Sequence, residues 1–366
     1  MVNEKRPSEP EWPYLDSIIS ALSTAFFLSW SKKEHIVIPF INIDREDLAL
    51  RSDTEFIFQS TNVDSSLLFF RDNLALFESL AAKGQLSLFL VDHNHISDNL
   101  LNLTSKGPVK VVGIIDHHED KKLYMDTAQP RRVELVGSCT SLVADQYFKE
   151  ALTTLGNQCP KSGEPESWTM QLSRLLLGPI LIDTRDLKPE FGKVQPLDIE
   201  MTKLLIPYTG WSTLDGLFAK IDAERQNTDR LSFYDLLRSD YKEWTVLEKK
   251  RTGGQNVRVG ISSISGLIQK YVDRDSIETM VAAIERWTQK TGVDLHLATF
   301  SGEQAGVGYQ RQMIVRPILK TLAGLPQELE AADGMAKELQ LERLALTDSL
   351  EDKGRVEVAY QQHNTL

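Results

Sequence analysis

Cysteine is the scarcest residue with chemistry of its own. The 366 residues hold two, Cys139 and Cys159, too few for a disulfide framework, and neither stands in a Cys/His spacing that would hold zinc. No stretch approaches the ~18 consecutive apolar residues that a bilayer requires, and the opening MVNEKRPSEPEWPY has no apolar signal core. The expectation is a soluble, cytoplasmic protein. Positive charge is also in deficit: 41 Lys and Arg face 52 Asp and Glu, a net charge of −11. Such a field repels nucleic acid and anionic membranes, so neither is expected as a partner, and a polyanion would have to be held by a local basic patch or by metal ions. Internal repeats, heptads and low-complexity segments are absent from the sequence.

What is present is a globular composition, 41% apolar and 25% charged, in a chain long enough for two or three domains. Over the first two hundred residues short apolar runs alternate with amphipathic stretches, the pattern of a mainly parallel sheet flanked by helices in the α/β class. HIVIPFI (35–41), SSLLFF (65–70), LSLFLV (86–91) and VKVVGII (109–115) read as strands, the last two as strands covered on both faces. Asp16 to about Trp30, Asp72 to Lys83, Cys139 to Thr154 and the run from Trp168 to Asp183 read as helices, the third opening from a Gly-Ser that can cap it. Residues 1–206 form the expected first domain and 207–230 the connection. A smaller α+β domain over 231–366 is expected from VRVGISS (257–263), VDLHLATF (293–300), RQMIVR (311–316), ERLALT (342–347) and RVEVAY (355–360).

Chemistry concentrates in VVGIIDHHED, where an apolar strand delivers Asp116, His117 and His118 at its carboxyl end, the place at which ligands bind in open α/β sheets. The preceding strand repeats the device with Asp92, His93 and Asn94. ILIDT adds Asp183, and LDSIISAL adds Asp16 at a helix start. Taken singly, Asp16 reads equally as a helix cap and Asp183 as a loop acid. Taken together, Asp16, Asp92, His117 and Asp183 are three carboxylates and an imidazole without a thiol, a hard donor set that suits Mn²⁺ or Mg²⁺. Arg45, Arg51, Lys121, Lys122, Arg131 and Arg132 supply either a basic track for a polyanion or a solvated face.

The stretches LDSIISAL, IPFINIDREDLALR, LVDHN, VVGIIDHH, VGSCTSLVADQYF, LLGPILIDT, DLLRSDYKEW and VRVGISSI resemble, in order, the DHH phosphoesterase superfamily. The resemblance is to the branch of eukaryotic-type exopolyphosphatases related to family II inorganic pyrophosphatases and Prune-type phosphodiesterases. It implies two divalent metals at the strand ends, with Asp92 bridging them, Asp16, His117 and Asp183 completing one site, and His118 facing the phosphate. Lys242 would be a phosphate ligand from a DHH-associated C-terminal domain of the second type, and Arg45 and Arg51 further substrate contacts. The implied activity is release of terminal orthophosphate from inorganic polyphosphate by metal-activated water. Pyrophosphate or cyclic-nucleotide hydrolysis is the enzymatic alternative, and a non-catalytic, Prune-like interaction protein the other.

Two departures bear on these alternatives. Members carry G-N-x-x-x-D-x-D-S before the first helix, whereas counting back from Asp16 places Pro10 and Tyr14 where the Asn and first Asp of that motif would ligate the first metal. An Arg-Lys motif that grips phosphate in the family has no counterpart before Leu366. The expectation is a chain clipped at both ends, with one metal half-site incomplete.

Overall fold

The computed structural model describes residues 15–31, 34–155, 167–211, 214, 216–248, 252–330, 341–343 and 358–362, in two compact units that divide between Asn227 and Thr228. Pro10, Tyr14 and Cys159 lie outside the described residues. No helix among those described is long and apolar enough to cross a membrane.

The first unit is α/β, as the alternation of apolar runs requires. Strands β1 (Phe40–Ile41) and β2 (Phe69–Phe70) form a parallel pair. Strands β3 (Ser87–Val91), β4 (Lys110–Asp116) and β5 (Arg131–Val133) form a parallel sheet with β4 in the middle. Parallel strands end at the same edge, and the register pairs Val91 with Ile115, so the residue after β3 stands beside the last residue of β4. Two helices that meet each other carry the core. Leu15–Ser31 buries Ile18, Ile19 and Phe27, and Trp168–Asp183 buries Leu172, Leu176, Leu177 and Ile180. The second of these is capped by Ser167, whose Oγ accepts from the Met170 amide at 3.3 Å. Gly178 in its middle is a packing residue, since a β-carbon there would stand 2.9 Å from Ile57 Cδ1.

Several expectations are corrected. HIVIPFI contributes only Phe40–Ile41 to a strand and leaves Ile36 93% exposed; Pro39 has no amide to give a ladder. β4 is covered on both faces toward its carboxyl end, where the neighbours Ile114 and Ile115 are both fully buried, whereas Val112 nearer its start remains exposed. Ser138 does not cap the helical segment that starts at Cys139; its hydroxyl pairs with Thr140 Oγ1 at 2.7 Å, and carboxylates from distant positions do the capping. Within 207–230, the helix Leu217–Gln226 sinks Ile221 into the first unit's core.

The second unit holds a six-stranded sheet in the order β10-β11-β9-β8-β7-β6. Its strands are β6 (Tyr241–Glu248), β7 (Gln255–Ser265), β8 (Leu295–Gln304), β9 (Gly308–Pro317), β10 (Leu341–Arg343) and β11 (Val358–Gln362). Only β7 and β8 pair parallel, and the helices Ile268–Asp275 and Ile277–Thr291 make the crossover that a parallel pair needs. Residues 344–347 of ERLALT, 355–357 of RVEVAY and 331–340 of the acidic stretch after Leu325 lie outside the described residues.

His296 is buried in β8 with Nε2 2.9 Å from Ser262 Oγ and Arg316 opposite it in the register. Burial, reinforced by the Arg316 charge, pushes its imidazole down to about 4. A folded value below the unfolded one means that the stabilisation is present above about pH 6.5 and lost as pH falls through 4, an effect on the order of 3 kcal/mol. Denaturant unfolding of the full chain at pH 7, 5.5 and 4 should therefore show a steeper acid loss than in His296→Gln; parallel pH profiles would assign the loss to other groups.

Candidate metal centre

The edge at which β3 and β4 end gathers the predicted donors. Asp92 follows β3 directly and is held at φ +63, a conformation costly for a residue with a β-carbon. Its amide donates to Ile115 O at 2.9 Å, which fixes the turn. One carboxylate oxygen, Oδ2, accepts a short hydrogen bond from Ser17 Oγ. The other, Oδ1, is buried without a hydrogen bond of good geometry. It lies 3.1 Å from His117 Nε2 and 3.9 Å from His118 Nδ1. Ligand atoms of Asp92, His117 and His118 lie within 4.8 Å of one another.

His117 is aimed by its other nitrogen, since Nδ1 meets the Val136 carbonyl at 3.0 Å. A proton donated there leaves Nε2 directed at Asp92 and at Asp16 Oδ2, 3.8 Å away. Burial works against a charged imidazole, but the hydrogen bond to Asp92 and the charges of Asp16 and Asp92 outweigh it and push His117 up to about 10.

Asp16, at the start of the first helix, has its carboxylate turned to the backbone of the Cys139 segment. Its Oδ2 accepts the Cys139 amide at 2.6 Å and its Oδ1 the Thr140 amide at 2.9 Å, with Ser20 Oγ at 3.2 Å. It thus caps a different helix from its own, and the positive end of that helix's dipole favours the charge. A carboxylate accepts about four hydrogen bonds, so one lone pair of Oδ2 is left facing the cluster. Burial and then the charge of Asp92 push the Asp16 carboxyl up to about 6. Asp183 is the last residue of Trp168–Asp183; burial and the charges of Asp16 and Asp92 raise its carboxyl well above the usual range, and its Oδ2 is buried without a hydrogen-bond partner.

His118 is more than half exposed and stands edge-on to His117. Asp116 holds it, with Oδ1 2.8 Å from His118 Nδ1, and that bond raises the imidazole above its ordinary range. Asp116 is fully buried and also takes the His117 amide at 2.8 Å and the Asn94 side-chain amide. Asn94 in turn accepts from the Lys121 amide at 2.9 Å. Asp116, Asn94 and Ser17 are supporting residues that the donor pattern did not single out. The signal available was position: Asp116 ends its strand as Asp92 does, and Ser17 adjoins Asp16.

The predicted substrate contacts do not gather here as a track. Arg45 gives its two terminal nitrogens to the carbonyls of Ser65 (3.0 Å) and Leu68 (2.6 Å) and lies over the Phe70 ring. Arg51 is half-buried at the start of the helix Ser52–Ser60. Arg131 is paired with Asp120, Arg132 with Glu134 and Asp145, and Lys121 with Glu119. Lys242 is on β6 of the second unit, half exposed and 3.7 Å from Asp240 Oδ1.

With this geometry in view, known proteins can be compared. Residues 219–356 match the DHHA2 domain model. A putative exopolyphosphatase of Schizosaccharomyces pombe is 32% identical over 63% of this chain and 57% of its own length. Human exopolyphosphatase PRUNE1 is 29% identical over 72% of the chain and 52% of its length. Over these stretches the chain is similar to DHHA2-containing proteins of the exopolyphosphatase type. A manganese-dependent inorganic pyrophosphatase of Methanocaldococcus jannaschii is 28% identical over 69% of the chain and 71% of its own length. The chain spans about half the length of the PRUNE1 relatives it matches.

The DHH motif fits a divalent cation on the structure's own terms: buried carboxylate oxygens without a hydrogen bond of good geometry beside an imidazole fixed through its far nitrogen. Asp92→Asn should weaken Mn²⁺ binding more than Asp16→Asn, because Asp16 is already committed to two backbone amides. Calorimetric titration of both variants checks this, and equal affinities would remove Asp92 from the centre. Because His117 carries a proton below about pH 10, Mn²⁺ binding near pH 7 should release about one proton and tighten as pH rises. Titration in buffers of different ionisation enthalpy measures that number.

Proposed function

We propose that the chain is a metal-dependent phosphoanhydride hydrolase that releases terminal orthophosphate from inorganic polyphosphate in the cytoplasm. The observation that carries this reading is the pair of buried carboxylate oxygens without a hydrogen bond of good geometry among the described residues, Asp92 Oδ1 and Asp183 Oδ2, beside the fixed imidazole of His117. An O/N set of this kind suits Mn²⁺ or Mg²⁺. Polyphosphate is preferred to pyrophosphate because the IDREDLALR and GSCTSLV stretches resemble the exopolyphosphatase branch, and the names of the fission-yeast and human relatives support that choice.

In this reading Asp16, Asp92, His117 and Asp183 hold the metal. The bound divalent cation would supply acidification of a water molecule and neutralisation of phosphoryl charge. The rest is the work of the chain. Ser17 and the Ile115 carbonyl fix Asp92 at both its side chain and its backbone. Asp116 keeps the His118 ring in one orientation, and the same bond raises the imidazole above its ordinary range. His118 then has Nε2–H to offer to a phosphoryl oxygen and a proton for the departing phosphate as water attacks phosphorus and the P–O bridge breaks. Arg45, with its terminal nitrogens on carbonyls, braces the loop instead of contacting phosphate.

Orthophosphate release from long-chain polyphosphate, pyrophosphate and a cyclic nucleotide should be compared with Mn²⁺ and with chelator. Polyphosphate should be the best substrate, activity should vanish with chelator, and Asp92→Asn should lower kcat/KM by about 10²-fold or more. A preference for pyrophosphate or the cyclic nucleotide overturns the substrate assignment, and absence of hydrolysis on all three overturns the enzymatic reading.

A further inference from the structure

Asp198 occupies the third position of the helix Pro196–Leu205 and is fully buried. Four donors hold its carboxylate, two on each oxygen. Oδ2 accepts the amides of Gln195 and Gly137, both at 2.8 Å. Oδ1 accepts the Ser138 amide at 3.3 Å and the Ser141 hydroxyl at 2.6 Å. A carboxylate has room for about four such bonds, so Asp198 has no lone pair left to give a cation. The bond from Gln195, three residues earlier, is the ordinary cap of its own helix. The other three donors lie 57 to 61 positions away at the start of the Cys139 segment, and capping the Pro196 helix does not call for them.

The backbone amides of that segment are divided between two carboxylates. Gly137 and Ser138 give theirs to Asp198, and Cys139 and Thr140 give theirs to Asp16, at 2.6 Å to Oδ2 and 2.9 Å to Oδ1. Successive peptide units are planar and joined through single α-carbons, so a shift that breaks the first pair of bonds also moves the second. Oδ2 of Asp16, the oxygen on the Cys139 amide, is also the one 3.8 Å from His117 Nε2. The direction of its remaining lone pair therefore follows from where that amide stands. Asp198 approaches so closely that a β-carbon on Gly137 would stand 2.8 Å from its Oδ2, which leaves the segment no slack on that side.

We propose that Asp198 is a positioning residue of the metal centre, acting through the amides of residues 137–140 to aim the Asp16 carboxylate. The proposal rests on the reading of Asp16, Asp92, His117 and Asp183 as metal ligands, and it adds a residue which that reading does not contain. Partners that orient a ligand typically govern roughly 10- to 100-fold in metal affinity. In Asp198→Asn one acceptor oxygen becomes an NH₂ group. Each oxygen carries at least one backbone amide, so one N–H must face another whichever way the side chain is set.

The test is a double-mutant cycle on the full chain. Mn²⁺ is titrated calorimetrically into wild type, Asp198→Asn, Asp16→Asn and the double variant, and thermal unfolding in chelator establishes that each is folded at the titration temperature. Asp198→Asn should bind Mn²⁺ roughly 10- to 100-fold more weakly than wild type. In the Asp16→Asn background the same substitution should change affinity by no more than about twofold, because the carboxylate through which it acts is gone. A general structural role gives the same loss in both backgrounds, and that result overturns the proposal, as does wild-type affinity in Asp198→Asn; either leaves the metal-centre reading standing. If Asp198→Asn does not fold, the cycle is run with Ser141→Ala, which removes one of the four bonds. A several-fold loss confined to the background that keeps Asp16 then supports the proposal, and an equal effect in both backgrounds, or none in either, overturns it. Wild type that binds no Mn²⁺ overturns the metal-centre reading and this inference with it.

Discussion

Burying Asp16, Asp92 and Asp183 within reach of one another's charges is the constraint on which the first unit is built. Like charges in a poorly solvated place repel, and burial alone disfavours each ionised carboxylate. The raised carboxyls of Asp16 and Asp183 are the signature of that conflict. The fold answers it with groups that cannot move away: the amides of Cys139 and Thr140 on Asp16, the hydroxyl of Ser17 on Asp92, and the imidazole of His117 between Asp16 and Asp92. Oδ1 of Asp92 and Oδ2 of Asp183, which lack a hydrogen bond of good geometry among the described residues, are where a cation gains most.

A second layer of buried polar groups keeps those residues in place. Asp116 and Asn94 tie the turn after β3 to the turn after β4, and each has its hydrogen-bonding capacity largely used. Asp198 does the same on the far side, joining the start of the Cys139 helix to the loop that ends at Gln195. Removing one member of such a network leaves its buried partners unsatisfied, so its effect on the centre should exceed that of the single lost bond. The Cys139 thiol beside it is pushed well up by burial and by the neighbouring carboxylates; its role is packing.

The sequence made much of this legible. Two apolar runs, each ending on Asp-His, required buried strands whose carboxyl ends carry polar chemistry, and β3 and β4 are those strands. The helices around Leu15–Ser31 and Trp168–Asp183 were written in their apolar spacing, and the α+β character of the second unit in the alternation of β7, β8 and β9. Basic residues were the least legible, because charge in a sequence carries no information about its partner. Arg45, Arg131 and Arg132 were candidates for a polyanion track until the fold supplied carbonyls and carboxylates for each of them.

Local pattern determines what depends on neighbours in the chain: strand and helix, the face that is buried, and the donor types that suit a hard cation. It picks out Asp16, Asp92, His117 and Asp183 as a hard donor set. Tertiary structure decided everything that depends on residues far apart in sequence. Parallel pairing with Val91 beside Ile115 brought Asp92 next to the His-His pair 25 residues later. Asp16 and Asp198, more than fifty residues from Ser138, took over the capping that Ser138 was expected to perform. Hydrogen bonds and Coulomb forces act over a few ångströms of space, and only the folded chain fixes which residues those ångströms contain.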